Sequence, residues 1–404
     1  MSGRDLPETS PAAAVSATPW LLRKPAFFTA VSITVGVIVG GIVLLIAGFS
    51  PIEAYGEILA GVFSSPRNVA AAIVRSTPII ITGLSVTFAF RTGLFNIGAE
   101  GQFIVGSLVA ALLGFAVNLP AILHVPLLFA SAFVAGAAWG GFAGFLKARF
   151  GVHEVISTIM LNWIAFYLSN FMIGLSWVQR PQSEASHKIA NTARIDILGA
   201  WKLSEEGLAW RAANSGSFFA EVLRADVNWG IVIALLLATG VWYVLKRTTL
   251  GYELRAVGHN REAAEYGGIN VRRCTTLSMA IAGGIAALSG AIQVMGRTQD
   301  ITKLAVMEGN GFDGIAVSLI GNNTAFGNVF SGLLFGSLVH GGSRLQARLG
   351  APSEIIAIVI GTIIFFIAIP NLVRVVAALY RRRTARSADR NAERAARQTK
   401  GGSA

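Results

Sequence analysis

Long apolar runs constrain this chain more than any other feature, because each needs a surrounding that water cannot supply. Ten can be marked, at 27–49, 69–90, 93–116, 123–146, 152–178, 227–245, 274–295, 305–320, 325–339 and 354–373. A helix crosses a bilayer in about 20 residues, and most of the runs reach or approach that length. Their hydrophobicity is continuous rather than alternating, which selects helices over barrel strands. The run at 27–49 follows Arg23 and Lys24 but is too long for a signal peptide, so it reads as an uncleaved anchor. The fold class expected is an all-α polytopic membrane protein with about ten spans.

Composition agrees. Apolar residues make up 53% of the chain and charged residues only 13%, against about 25% charged in soluble domains. That excludes an ordinary cytosolic enzyme and a disordered chain. The formal charge of +12 does not indicate nucleic-acid binding. Most Lys and Arg fall in the two tails, near span ends and at 246–273, the pattern that keeps basic segments on the cytoplasmic side. Both termini are therefore expected in the cytoplasm, and 179–226 outside. The segments read as a cytoplasmic disordered tail at 1–26, a first membrane half at 27–178, an external insert at 179–226, a second half at 227–374 and a basic cytoplasmic tail at 375–404. The last tail has the charge to touch anionic lipid.

Catalytic signatures are missing. There is no Gly-Lys pair for a phosphate loop, and the five histidines show no ligand spacing. One cysteine, Cys274, gives neither an intrachain disulfide nor a thiolate metal cluster. No cofactor or metal is expected in this chain, and no covalent chemistry.

Interrupted spans are more informative. GLFNIGAEGQ at 93–102 puts glycines, an asparagine, a carboxylate and an amide where a membrane helix should run, and MEGNGFDG at 307–314 repeats the character in the second half. Backbone freed at that depth must be satisfied by protein or a wet cavity. Interrupted segments in matching positions of two halves point to a transporter built of inverted repeats, with its path between them. Candidate path residues are Asn96, Glu100, Gln102, Asn162, Trp163, Gln293 and Asp313. Glu100 and Asp313 either line the path, cap a helix or pair with a nearby base; the amides either bind solute or bond helix to helix. Small-residue repeats at Gly36/Gly40, Gly136/Gly140/Gly144 and Gly332/Gly336 are expected at helix contacts.

The loop at 246–273 holds a second signal. In NREAAEYG at 260–267, Asn260 can cap a short helix, Glu262 occupies its first turn and Gly267 can end it. Ala263 and Ala264 would leave its surface flat. The segment is either a lever that a partner pushes or an ordinary solvated loop.

GLFNIGAEGQ at 93–102, RAVGHNREAA at 255–264 and GGIN at 267–270 resemble permease subunits of bacterial ABC importers, in the group handling ribose and other simple sugars, nucleosides and branched-chain amino acids. The similarity runs from about residue 26 to 374 and is greatest to the longer permease of the nucleoside branch. The resemblance implies a type II-like importer permease in the bacterial cell membrane, with a pathway shared with a second permease subunit. It also implies a cytoplasmic ABC ATPase that binds ATP-Mg, and an extracellular substrate-binding lipoprotein. It assigns Arg255, Gly258, Asn260, Glu262, Ala263, Ala264 and Gly268 to the ATPase-coupling loop. The implied function is inward transport of nucleosides, with a ribose-type sugar permease as the alternative and an ion-coupled secondary transporter as a more distant one.

Overall fold

The computed structural model describes residues 25–368. Most of the tail expected at 1–26, the whole basic tail at 375–404 and the end of the last apolar run lie outside the described residues.

The chain begins with α1 (Pro25–Ile46), α2 (Pro51–Phe63), α3 (Pro66–Phe90), α4 (Ala99–Ala116), α5 (Ala121–Phe150) and α6 (Glu154–Ile173). Three short helices follow, α7 (Gly199–Leu203), α8 (Glu205–Ala213) and α9 (Phe218–Leu223). Then come α10 (Gly230–Arg247), α11 (Thr249–His259), α12 (Arg261–Tyr266) and α13 (Val271–Gln293), which runs on into a π turn at Val294–Thr298. The chain closes with α14 (Asn310–Ile320), α15 (Ala325–Leu349) and α16 (Ser353–Ala368). Among the described residues β structure is limited to three isolated bridge pairs.

Each expected apolar run carries helix, with two corrections. The runs at 93–116 and 305–320 are helical only from Ala99 and Asn310, so α14 is a short element of 11 residues. Residues 51–63, outside the ten marked runs, form α2 behind Pro51, with Glu53 in its first turn. Among the described residues, six helices (α3, α4, α5, α6, α10 and α13 with its π turn) are long and apolar enough to cross a membrane.

Two compact units divide the chain at residues 51/52 and 353/354. In the smaller, Gly36 of α1 lies against Ile363 of α16, so close that an added Cβ would be 3.1 Å from its backbone. In the larger, α3 and α13 are buried along most of their length, whereas α5 and α10 are mostly exposed. Ile79, Ile80, Ile81, Leu84 and Phe88 make α3 the centre of the core. Polar side chains bond α3 to its neighbours: Ser85 Oγ donates to the Ala282 carbonyl at 2.6 Å, Ser289 Oγ to the Pro78 carbonyl at 2.8 Å, and Asn328 Nδ2 to Thr87 Oγ1 at 2.6 Å. Without water nearby, such bonds replace hydrophobic attraction as a source of helix specificity.

Small residues set the closest approach. Gly136 and Gly140 of α5 receive Gly283 of α13 so tightly that a side chain on Gly283 would occupy the place of the Gly136 carbonyl. Gly332 and Gly336 of α15 seat Ile80 and Ser76 of α3 in the same way. Gly283→Val is therefore expected to destabilise the bundle by about 1–3 kcal/mol or more, read as a lowered melting temperature in detergent. Gly240→Val on α10, where nothing lies within 4 Å of the added atom, should leave that temperature nearly unchanged.

The larger unit has two polar ends. At one, the insert 179–226 threads its backbone along the π turn and the segment behind it. Ile195 N donates to the Met295 carbonyl, Ile189 N to Gln299, Ser186 N to Ile301, and Lys303 N returns to Glu184. At the other end lie α11, α12 and the basic last turns of α5 and α10, with Lys147, Arg149, Lys246 and Arg247.

Candidate functional site

The two interrupted segments, some 200 residues apart in sequence, meet. Glu100 stands in the first turn of α4, fully buried. Its Oε1 accepts from Gly309 N at 2.8 Å and its Oε2 from Gly311 N at 2.6 Å. These N–H groups open α14, and the first turn of any helix has donors with no partner inside the helix. A carboxylate there satisfies them and complements the positive end of the helix dipole. Thr82 of α3 completes the junction by donating to the Asn310 carbonyl at 2.8 Å. Thus α14 starts inside the bundle, its first turn capped by another helix.

The amides hold the first break in shape. Asn96 Nδ2 donates to Gln102 Oε1 at 2.9 Å, and Gln102 Nε2 returns a bond to Asn96 Oδ1 at 3.2 Å. Asn96 Oδ1 also accepts from Gly98 N at 3.1 Å. Asn162 of α6 clamps the other side, accepting from Gly101 N at 2.8 Å and donating to the Ile97 carbonyl at 3.0 Å. Asn96, Gln102 and Asn162, all buried, thus brace the irregular backbone that leads into buried Glu100. Asn162→Leu should leave Gly101 N and the Ile97 carbonyl unpaired, at about 1–3 kcal/mol for each buried group. Thermal unfolding of the variant measures that loss.

The other predicted residues make none of these bonds. Asp313 lies one turn into α14, partly buried. Gln293, at the end of α13, lines a cavity. Trp163 is half-exposed on α6, stacked on Tyr167 with ring centroids 6.0 Å apart and edge-on to Phe166. It points away from the amide clamp that its neighbour Asn162 provides.

A charged group escaped the sequence reading. Arg75 interrupts the apolar stretch of α3 and lies within electrostatic reach of Asp313, Glu308 and Arg297. His340 of α15 feels the same two arginines. One base in a long apolar run leaves its hydropathy almost unchanged. Yet ionisable residues within a span face the bundle interior or a wet path, and that signal was available at Arg75.

At the opposite end, α12 has the predicted form. Asn260 Oδ1 accepts from Ala263 N at 3.0 Å and caps the helix. Glu262, Ala263 and Glu265 are exposed, as is Gly268, which takes a φ of +81°. Ala264 departs from the expected flat outer surface: it is buried and packs into the core, because it sits on the inward side of this one-and-a-half-turn helix. The outward side instead offers Tyr266, 98% exposed. Arg255 of α11 is partly buried, with its Nη1 unpaired.

This end is joined physically to the junction. Gly258 of α11 lies directly on the backbone of Arg91 and Thr92, and Gly93 lies on Gly258 in return. Arg91 Nε donates to the Asn323 carbonyl at 2.8 Å, just beyond the end of α14, while Ser278 Oγ of α13 donates to Thr92 Oγ1 at 2.8 Å. The segment 91–98 therefore touches the α11–α12 loop on one side and leads into the Glu100 cap on the other.

Comparison with known proteins agrees with this architecture. Residues 68–368 match the model of a family described as the permease component of branched-chain amino acid transport systems. The guanosine ABC transporter permease of Bacillus subtilis is 38% identical over 347 residues, covering 86% of this chain and 94% of that one. A nucleoside ABC transporter permease of Lactococcus lactis is 34% identical over 348 residues, 85% of this chain and 91% of its own. A glucose ABC transporter permease of Haloferax volcanii is 31% identical over 329 residues, covering 81% and 83%. No solved structure matches. With apolar helices long enough to span and a family match over most of its length, the chain belongs to the permease components of branched-chain amino acid transport systems: it is a multi-pass membrane permease subunit and not an enzyme.

Proposed function

We propose that this permease carries nucleosides inward as one membrane subunit of an ATP-driven importer. The observation that bears most weight is the Glu100 junction, where two interrupted segments share one cap and connect backbone to backbone with the α11–α12 loop. A transporter needs an element that can shift within the bundle without exposing unsatisfied backbone to lipid. α14 is short, begins inside the bundle and depends on one carboxylate, so it fits that need.

In this reading ten spans form two inverted-repeat halves, 27–178 and 227–374, with both termini, 246–273 and the basic tail in the cytoplasm of a bacterial cell. The insert 179–226 faces outward. A separate ATPase carries the ATP-Mg, a second permease completes the path, and a substrate-binding lipoprotein delivers solute at the insert side. The path runs along the open face of α14, past Asp313 and Arg75. Closure of the ATPase displaces α12; Gly258 transmits the displacement to 91–98, and the Glu100 cap carries it to α14. Arg255, Asn260, Glu262, Ala263 and Gly268 then serve docking and rigidity, while Ala264 anchors α12 to the core.

Exposed Tyr266 offers an aromatic anchor of the kind that dominates interface energetics. Tyr266→Glu is expected to weaken co-purification of the ATPase about tenfold or more, a change of about 1.4 kcal/mol, without altering insertion of the permease. Nucleosides are favoured as cargo by the guanosine and nucleoside permeases among the relatives. The glucose permease supports a sugar alternative. Uptake by the assembled transporter with competing unlabelled guanosine, uridine, ribose and glucose decides between them. Competition by the sugars alone would overturn the nucleoside reading, and transport that persists without the ATPase would point to ion coupling.

A further inference from the structure

A cavity of about 90 Å³ lies beside the junction, between α4, α6, the end of α13 and the segment 299–308. It is walled by polar groups left unused. Ser107 of α4 is 8% exposed and its Oγ has no hydrogen-bond partner. Gln293 of α13 is 6% exposed and Ser169 of α6 4% exposed, and the side chain of neither makes a hydrogen bond among the described residues. Burying a polar group without a partner costs several kcal/mol in an apolar surrounding, and packed interiors rarely leave one so. Of the three, only the Ser107 Oγ is sealed without a partner; the unbonded polar ends of Ser169 and Gln293, from two helices, stay open to the cavity they line.

The rest of the wall narrows the occupant. Glu308 supplies a carboxylate, one oxygen of which is already engaged by Asn310 Nδ2 at 3.0 Å. Phe103 is 1% exposed and closes the wall without offering a free ring face. A hydroxyl, an amide and a carboxylate match a small polyhydroxylated ring, which has hydroxyls to donate and accept. The volume is room for roughly six water molecules, which suits one such ring and not a ring with a heterocyclic base attached. The outer wall is fixed by the insert, whose Ser186 Oγ accepts from Ile301 N at 3.2 Å and whose Arg180 reaches Asp300 at 3.5 Å.

We infer that this cavity is a subsite for the pentose of the transported nucleoside, with Ser169 and Gln293 reading its hydroxyls. The inference rests on the nucleoside reading above for the identity of the ring, but not for the chemistry of the cavity. Ser169→Ala and Gln293→Leu remove the reading groups one at a time. The assembled transporter carrying either is expected to take up labelled guanosine about 3- to 10-fold more slowly, the worth of one hydrogen bond. For 2′-deoxyguanosine or 3′-deoxyguanosine, at least one variant should show a penalty below about twofold, because the lost partner is already missing from the solute. Equal penalties on guanosine and both deoxy analogues, or none on any, would overturn the subsite. If the wild type carries no nucleoside but does carry ribose or glucose, the nucleoside reading alone fails. The same variants then test the cavity on the sugar: slower uptake supports it and unchanged uptake overturns it. A wild type that carries none of these solutes overturns both.

Discussion

Glu100→Ala is expected to abolish transport while the protein still inserts, and to cost about 3–5 kcal/mol of stability. Two bonds to Gly309 N and Gly311 N disappear, and each buried donor left unpaired costs about 1–3 kcal/mol. Glu100→Gln is the sharper variant. Its carbonyl can still accept from one N–H, but its NH₂ must face the other, donor against donor. The expected result is intermediate stability with uptake of labelled solute reduced at least about tenfold, the effect of about 1.4 kcal/mol. If the cap were merely structural, the melting temperature would fall with Glu100→Gln and the uptake rate per folded transporter would not. The two readouts together separate a working element from a brace.

The other large effect is predicted far from the junction, at Gly258. An added Cβ there would meet the Thr92 carbonyl carbon at 2.9 Å and lie still nearer the Arg91 carbonyl oxygen. Both are backbone atoms that cannot swing aside, so Gly258→Val must push α11 off the 91–98 segment. The exposed side of α12, with Glu262, Glu265 and Tyr266, is untouched. The ATPase should therefore still co-purify and hydrolyse ATP, whereas transport per ATP hydrolysed should fall about tenfold or more. Full coupling in Gly258→Val would show that force does not pass through this contact. Loss of ATPase binding would place Gly258 in the docking surface instead.

Much of this arrangement was legible because its signals are local. Glycines and amides inside apolar runs marked both breaks, since such residues have no reason to occupy a simple lipid-facing helix. The Gly136/Gly140 spacing foretold a close helix contact, whose partner the fold shows to be α13, and Asn260 foretold the cap of α12. What pattern cannot carry is which distant partner a polar group finds. Glu100 could be assigned to a path or to a cap, and only the fold brings α14 to it. Periodicity did not give the facing of neighbouring residues: Asn162 turns inward and Trp163 outward, while Ala264 turns to the core and Tyr266 to solvent. α2 was missed because Glu53 and Glu57 dilute its hydropathy, although Pro51 and Pro66 bracket it as a helix start and the start of the next one. Glu57 is there for a partner, accepting from Arg344 Nε of α15 at 2.7 Å. The backbone pairing of the insert along residues 295–303 has no side-chain pattern at all, since it is made by N–H and carbonyl groups that every residue possesses.

Movement of α14 in step with the ATPase can be read directly at Phe312, exposed in its first turn. The single native cysteine, Cys274, is buried and can be removed as Cys274→Ser. In that background, Phe312→Cys in the reconstituted transporter is labelled with a membrane-impermeant thiol reagent, with and without ATP and vanadate. The account predicts a labelling rate that changes severalfold with nucleotide state, and a change that vanishes when Gly258→Val is added. An equal rate in every nucleotide state would contradict it.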